Sequence, residues 1–181
     1  MSLERTSRRI LATDLDGTLV GHPEALARLK TVLERYREDW LLVYATGRTM
    51  FQGRRLQHEE QLPEPDVWVT EVGAAITYAE HGPDALWQAR MAEGWDREVV
   101  ERLAYAQPTM TPQPEEAMGP LKVSFRIAPE HATHVLPRLE RQLAEAGTPA
   151  LLIYSSQRDL DIVPATAGKA AAIRHLSRRY D

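Results

Sequence analysis

Ile-Leu-Ala-Thr-Asp-Leu-Asp-Gly-Thr, residues 10–18, joins a short apolar run to two carboxylates and a Gly-Thr turn. The apolar run is typical of a buried strand that ends at the carboxylates. Side chains alternate between the faces of a strand, so Asp14 and Asp16 point to the same side. Two like charges held together call for a divalent cation or for acid–base chemistry beside a nucleophile. The string therefore favours a phosphoryl-transfer site over the alternative, a strand that ends in an Asp-rich turn.

The bulk composition is that of an ordinary globular protein. The chain has 181 residues, of which 43% are hydrophobic and 27% charged, so we expect one domain or one domain with an insertion. The net charge of −4 gives no reason to expect nucleic acid or an anionic membrane as partner. The chain has no cysteine, which excludes disulfides and thiolate metal sites. No apolar run approaches the length of a membrane span, and we predict a cytoplasmic protein.

The residues after the carboxylates alternate between helix and strand patterns. Leucines at helical spacing follow Pro23, and the apolar run Trp40–Ala45 has the length of a strand. A polar helix to about Gln61 comes next, and the strand Val67–Thr70 and a hairpin over residues 75–78 follow. The order β-α-β-α-β predicts an α/β fold, a doubly wound parallel sheet with helices on both faces.

The middle of the chain has a different pattern, with one-sided strands and two helices. The predicted elements are a helix at 95–106, a proline-rich loop at 107–120, a strand at 121–127, a helix from Pro129 to about Gly147, and strands at 150–154 and 160–163. Alternating strands with helices describe a small α+β module packed on one face. We therefore predict an inserted cap at residues 80–164 and a core formed by residues 1–79 and 165–181.

Two further segments carry candidate partners for the carboxylates. Thr46 ends the second strand as Asp14 ends the first, and ligands of open parallel sheets bind at these carboxyl ends. The Thr46 hydroxyl and the backbone amides of Gly47 and Arg48 are suited to phosphate oxygens, although a Thr-Gly pair alone is also typical of a plain turn. Lys169 is the first residue of the last helix, where its positive charge interacts unfavourably with the helix dipole. An anion facing the lysine would offset this unfavourable interaction. The alternative is a solvated lysine.

Three short stretches resemble, in the same order, the first three motifs of the haloacid dehalogenase (HAD) superfamily of phosphatases: residues 14–18, 46–48 and 168–169. The insertion between the second and third motifs resembles the type-two cap of that superfamily. The sequence also resembles the sucrose-phosphate phosphatase branch at residues 42–48, 65–70, 72–73, 122–124, 153–156 and 159–164. The resemblance implies a HAD-like Rossmannoid core with an inserted α+β cap.

Two features depart from that branch. Gly17 stands where the branch commonly has asparagine. The family's fourth, acidic motif, which completes the magnesium site, is missing, because the chain ends at Asp181 in the helix that follows Lys169. We expect a core truncated at its C-terminal end, since an uncovered central strand would promote aggregation. A degenerate family member, or an association that covers the open sheet edge, remains the alternative.

The resemblance implies a mechanism for the named residues. Asp14 would be the nucleophile and Asp16 the acid and base, while Thr46 and Lys169 would bind the transferred phosphoryl group. Magnesium would be held by the Asp14 carboxylate and the Asp16 backbone carbonyl. The remaining residues expected to bind phosphate are Gly17, Thr18, Gly47 and Arg48.

The cap is expected to select the leaving group. Polar side chains suited to sugar hydroxyls cluster in its last hairpin: Gln157, Arg158, Asp159 and Asp161. A solvated hairpin is the alternative, because turns collect such residues. The predicted activity is the Mg²⁺-dependent hydrolysis of a sugar phosphate, with sucrose 6-phosphate the best guess. A mannosyl- or glucosyl-phosphoglycerate, or a catalytically silent phosphosugar-binding module, are the alternatives, and the oligomeric state stays open.

Overall fold

Two β-sheets and six α-helices form residues 9–180, the part of the chain that the computed structural model describes. The strands are Arg9–Thr13 (β1), Trp40–Ala45 (β2), Val67–Thr70 (β3), Ala75–Tyr78 (β4), Gly82–Pro83 (β5), Met110–Pro112 (β6), Val123–Ile127 (β7), Ala150–Ser155 (β8) and Asp159–Pro164 (β9). The helices are Pro23–Arg35 (α1), Met50–Glu59 (α2), Ala85–Ala92 (α3), Arg97–Tyr105 (α4), Pro129–Glu145 (α5) and Lys169–Tyr180 (α6). Over these residues, none of the helices combines the length and apolar character needed to span a bilayer.

The first sheet has the strand order β1-β2-β3-β4-β5 and carries helices on both faces. Strands β1, β2 and β3 are parallel, β4 is antiparallel to β3, and β5 is antiparallel to β4. Helices α1 and α2 cover the face that holds Leu42, Tyr44 and Trp68. Helices α3 and α6 cover the opposite face, which holds Val43 and Val67. The predicted doubly wound α/β fold is confirmed.

The second sheet is antiparallel, with the order β6-β7-β9-β8, and helices cover one of its faces. Val100 of α4 and Leu139 of α5 pack with Phe125 in a separate apolar cluster. Because side chains alternate along a strand, Ser124 and Asp161, which are cross-strand partners, point away from that cluster. This second face is turned towards the ends of the first sheet's parallel strands.

The predicted division into core and cap stays a proposal, and the packing suggests a later boundary. Strand β5 extends the first sheet, and Trp87 and Met91 of α3 belong to the same apolar cluster as Val43. We therefore propose that the cap begins after Ala92 rather than at residue 80. Residues 1–8 and 181 of the predicted core lie outside the described part of the chain.

Two details of the predicted elements differ from the structure. Helix α3 falls in a stretch for which the sequence patterns predicted no element, because it has only eight residues. The segment predicted as a loop at 107–120 contains β6, which ends at Pro112, a residue tolerated at a sheet edge.

A buried carboxylate joins α3, β4 and α6. Asp84 caps α3 by accepting a hydrogen bond from the Trp87 N–H (2.9 Å), and its side chain is 2% exposed. Its Oδ2 accepts the Tyr78 hydroxyl (2.8 Å) and lies 3.0 Å from His175 Nε2 on α6. Burial acts to raise the pKa of Asp84, but these hydrogen bonds outweigh it and lower the pKa below its ordinary value. The carboxylate therefore fixes α6 against the first sheet.

Replacement of Asp84 by alanine should destabilise the chain by about 2–5 kcal/mol, because α3 loses its cap and Tyr78 and His175 lose their acceptor. Asp84→Asn keeps an acceptor for the cap and should cost less. Since the folded pKa is lowered, the contribution is complete above the unfolded pKa of about 3.9 and is lost as the pH falls through the folded value. Urea unfolding at neutral and acidic pH measures both effects. An alanine variant as stable as the wild type at neutral pH would contradict this role.

Candidate active site

The first carboxylate follows β1 directly and is held at the sheet edge by the turn behind it. Leu15 is fully buried, and its carbonyl accepts hydrogen bonds from the backbone N–H groups of Thr18, Leu19 and Val20. Gly17 has a φ of +69°, a left-handed conformation that favours glycine. Together these contacts direct Asp14 and Asp16 out of the carboxyl end of the sheet.

Asp14 meets Lys169 across 155 residues of sequence. Lys169 Nζ donates to Asp14 Oδ2 at 2.7 Å, and the Leu15 N–H donates to Asp14 Oδ1 at 2.8 Å. The two side chains are 33% and 40% exposed, so the pair is oriented but still open to a ligand. The predicted proximity of the first and third motifs is present in the structure.

Lys169 owes its position to a close backbone approach. The left-handed Gly73, with φ of +94°, lies directly against Gly168, and a Cβ on Gly73 would come within 2.6 Å of the Lys169 backbone nitrogen. The Gly73 carbonyl also accepts a hydrogen bond from the buried Trp87 indole at 3.1 Å. These contacts place the first residue of α6 beside the end of β1.

The Thr46–Arg48 loop follows β2 and lies next to the carboxylates. Thr46 is fully buried, its N–H donates to the Val69 carbonyl at 2.8 Å, and its carbonyl accepts from the Val72 N–H at 3.2 Å. Its hydroxyl oxygen accepts the Arg48 N–H at 3.2 Å, and the hydroxyl can still donate its own proton. The Glu71 N–H donates to the Arg48 carbonyl at 2.9 Å and completes the framework of the loop.

Arg48 binds the second carboxylate in a bidentate pair. Its Nη2 lies 2.7 Å from Asp16 Oδ1, and its Nε lies 2.9 Å from Asp16 Oδ2. The hydrogen bonds from Arg48 lower the pKa of Asp16 against the opposing effect of burial, and the charges of Arg48 and Lys169 act in the same direction. The Asp16 side chain is therefore held as a carboxylate in this arrangement.

Replacement of Arg48 by methionine should raise the pKa of Asp16, because the main cause of its lowering is removed. Titration of the ¹³C-labelled Asp16 carboxyl by NMR measures the change directly. Arg28→Met on α1, where the arginine is highly exposed, is the matched control and should leave the titration as it is. An unchanged Asp16 pKa in the Arg48 variant would show that the pair does not control this carboxyl group.

The structure brings one of the four predicted cap residues to the strand ends. Asp161 Oδ2 would lie 3.8 Å from a Cβ placed on Gly47, so this carboxylate faces the loop directly. Asp159 contacts Gln113 at 3.3 Å and Arg158 at 3.4 Å, both within the cap. Gln157 and Arg158 are exposed in the turn between β8 and β9.

Three polar residues beside the site were not among the predicted site residues. Lys122 is buried, and its Nζ donates to the Gly47 carbonyl at 2.9 Å and lies 3.4 Å from Asp161 Oδ1. The Ser124 hydroxyl donates to the same Asp161 oxygen at 2.6 Å. Glu71, which is also buried, contacts the cap from the core side. The sequence signal that could have identified Lys122 and Ser124 as site residues was their polar character within the predicted strand 121–127, whose alternate residues are apolar.

The chemistry of the donors suits magnesium in its usual protein environment. Asp14 and Asp16 supply hard oxygen ligands, and Mg²⁺ commonly binds one or two carboxylates and keeps water and substrate phosphate in its other positions. Residues 9–180 contain no group of three or more His, Cys, Asp or Glu side chains arranged to hold a metal. The Asp14 carboxylate and the Asp16 backbone carbonyl would therefore fit this sparse mode of binding and not a closed protein cage.

Comparison with known proteins identifies the family. The sequence model for sucrose-6F-phosphate phosphohydrolase matches residues 7–181. Sucrose-phosphatase 1 of Nicotiana tabacum is 36% identical over 98% of this chain, which spans 43% of that relative's length. Mannosylfructose-phosphate phosphatase of Agrobacterium fabrum is 31% identical over 93% of this chain and 68% of its own.

A solved structure agrees with the sequence relatives. The sucrose-phosphatase of Synechocystis sp. PCC6803, in complex with sucrose and phosphate, superposes with a TM-score of 0.88 at 34% identity, over 95% of this chain and 70% of that one. The fold agrees with this comparison. The chain belongs to the sucrose-6F-phosphate phosphohydrolase family, a branch of the HAD superfamily.

Proposed function

We propose that the chain carries the phosphoryl-transfer site of a sugar-phosphate phosphatase, with sucrose 6-phosphate as its substrate. The observation that supports this most directly is the convergence of Asp14, Lys169 and the Thr46–Arg48 loop at one edge of the sheet. Lys169 lies 2.7 Å from the proposed nucleophile Asp14, and its ammonium group can also bind a phosphoryl oxygen. A cap with polar groups faces this edge, as a site that selects its leaving group requires.

The first half of the proposed reaction transfers the phosphoryl group to the protein. An oxygen of Asp14 attacks phosphorus in line, a P–O bond to the carboxylate forms, and the P–O bond to the sugar breaks. Hydrogen bonds from Lys169 and from the Leu15 N–H fix the plane of the attacking carboxylate. The Thr46 hydroxyl and Lys169 stabilise the charge on the transferred group.

Asp16 supplies the proton for the leaving sugar oxygen and then accepts one from the attacking water. Protonation requires that Asp16 first lose the bidentate contact with Arg48, which holds it ionised. An incoming phosphate dianion offers the Arg48 guanidinium a competing bidentate partner. Substrate binding itself would therefore release the acid.

Magnesium, held by the Asp14 carboxylate and the Asp16 backbone carbonyl, would neutralise charge on the phosphoryl oxygens when bound. The predicted phosphate contacts of Gly17, Thr18 and Gly47 remain part of this proposal. In the structure the Thr18 N–H donates to the Leu15 carbonyl at 3.3 Å, so Thr18 supports the turn as well.

The cap face gives the proposal its substrate class. Lys122 and Ser124 are buried and hold the Asp161 carboxylate opposite Gly47, where it can accept hydrogen bonds from hydroxyl groups of a sugar. Asp161 remains our proposed substrate residue, and Lys122 and Ser124 position it. Gln157, Arg158 and Asp159 would act at the outer rim of the cap. Mannosylfructose phosphate is the second candidate substrate, because the Agrobacterium relative that carries this name matches nearly the whole chain.

Phosphate release from a panel of sugar phosphates, with magnesium present, tests the proposal. We expect sucrose 6-phosphate or mannosylfructose phosphate to be hydrolysed with a higher kcat/KM than glucose 6-phosphate or fructose 6-phosphate. The panel should be run on this chain and on a chain extended to the full length of its relatives. Saturable binding without release in both chains would support a silent phosphosugar-binding module and reject the proposed activity.

A further inference from the structure

Glu71 is a buried carboxylate that the proposed chemistry does not use. It lies in the core, directly after β3, and the residue is 6% exposed. Its Oε2 accepts the backbone N–H of Leu121 in the cap at 3.3 Å. A Cβ on Gly119 would overlap the Glu71 carboxylate, so only glycine at this cap position lets the carboxylate approach. Burial raises the pKa of Glu71, against the lowering effects of the Leu121 N–H, Lys122 and Arg97.

Lys122 makes the opposite contact from the next residue of the cap. Lys122 directly precedes β7 of the cap, and its Nζ donates to the Gly47 carbonyl in the core at 2.9 Å. A core carboxylate thus accepts from the cap backbone, and a cap ammonium donates to the core backbone. The two contacts start one residue apart, at Leu121 and Lys122.

The same core segment also holds the Thr46–Arg48 loop. Glu71 and Val72 have left-handed φ values of +52° and +58°, which non-glycine residues seldom adopt. In this conformation the Glu71 N–H reaches the Arg48 carbonyl, and the Val72 N–H reaches the Thr46 carbonyl. Glu71 therefore contacts the loop through its backbone and the cap through its side chain.

Arg97 completes the charge balance around this contact. Its guanidinium donates to the Gly119 carbonyl and pairs with Glu101, its neighbour on α4, at 2.7 Å. The Gly119–Lys122 segment is thus bound by Arg97 from within the cap and by Glu71 from the core. A change at Glu71 should loosen the attachment of the segment to the core, leaving the Lys122 contact with Gly47, and keep its attachment to the cap intact.

We propose that Glu71 is a positioning residue that, with Lys122, clamps the cap at a fixed distance above the Thr46–Arg48 loop. This deepens the proposed function, since a fixed cap keeps the polar face of Asp161 close enough to contact a sugar whose phosphate sits at Asp14. Glu71 contacts no reacting group itself.

Amide hydrogen exchange tests the clamp without any need for catalysis. In Glu71→Ala, exchange over residues 116–124 should become at least about tenfold faster, while α5 should stay protected as in the wild type. Glu71→Gln keeps an acceptor for Leu121 and should fall between alanine and the wild type. Glu34→Ala, at an exposed position of α1, is the matched control. Unchanged exchange at 116–124, or an equal increase throughout the chain, would overturn the clamp.

Kinetics of this chain separate the clamp from the proposed activity. Glu71→Ala should lower kcat/KM for the preferred sugar phosphate by about tenfold, mostly through KM, and leave hydrolysis of p-nitrophenyl phosphate within about twofold. Glu71→Gln should restore part of the loss. An equal loss on both substrates would contradict a positioning role. Absence of phosphate release in the wild type would defeat the proposed function, and the exchange result would still decide the clamp.

Discussion

Asp14→Asn should lower phosphate release by at least about 10³-fold, because the amide cannot serve as the nucleophile that receives the phosphoryl group. The fold should be intact, since an asparagine Oδ1 can still accept a hydrogen bond from Lys169 or from the Leu15 N–H. Asp39→Asn, at an exposed turn before β2, is the matched control and should be fully active. Steady-state assays on the preferred sugar phosphate, with thermal unfolding as a check on folding, measure the effect.

Binding distinguishes the loss of a nucleophile from the loss of the site. Inorganic phosphate should still bind to Asp14→Asn, and at least as tightly as to the wild type, because a negative charge beside the anion has been removed. Lys169→Met should weaken the same binding, because it removes the cation opposite Asp14. Retention of more than about a tenth of the wild-type activity in Asp14→Asn would reject the covalent route.

Gly73→Ala should disrupt the site from a residue that has no chemical role of its own. The new Cβ would overlap the Gly168 backbone and lie 2.6 Å from the Lys169 nitrogen, so either backbone must shift. We expect a destabilisation of about 2–5 kcal/mol, from overpacking together with a φ of +94° that alanine tolerates poorly. Lys169 should also move from Asp14, with at least about a tenfold loss of kcat/KM.

Gly94→Ala is the matched control for backbone strain. Gly94 has a φ of +72°, and a Cβ there would meet nothing within 4 Å, so it isolates the conformational cost. We expect it to lose about 1 kcal/mol of stability and none of the activity. Urea unfolding and steady-state kinetics on both variants separate the two effects. Equal losses in the two variants would show that the contact with Gly168 does not position Lys169.

Elements with a strong local pattern were predictable from the sequence. The apolar run Trp40–Ala45 became β2 with the predicted bounds, and Pro23 is the first residue of α1. The spacing of the carboxylates, the Thr-Gly turn and the late lysine also placed three distant segments at one sheet edge. Local patterns sufficed for Asp14 and Thr46 because β1 and β2 are parallel and deliver their carboxyl ends to the same side, whereas Lys169 follows β9 of the second sheet.

The contacts between core and cap were not predictable in the same way. In sequence, Glu71 reads as a charge in a turn, and its burial results from a cap segment 50 residues away. The pairing of Arg48 with Asp16 depends equally on the approach of two loops 32 residues apart. Neither loop carries a periodic pattern that would indicate its partner. Such contacts arise only when tertiary packing brings the loops together.

Detection of the covalent phosphoryl group on Asp14 tests the central claim most directly. The chain would be mixed with its preferred sugar phosphate and magnesium, quenched in acid within a single turnover, and mapped by mass spectrometry. We predict one phosphoryl group on the peptide that contains Asp14, and none in Asp14→Asn. A phosphoryl group on a different residue would contradict the account. So would turnover in which no phosphorylated protein accumulates even when hydrolysis of the intermediate is slowed.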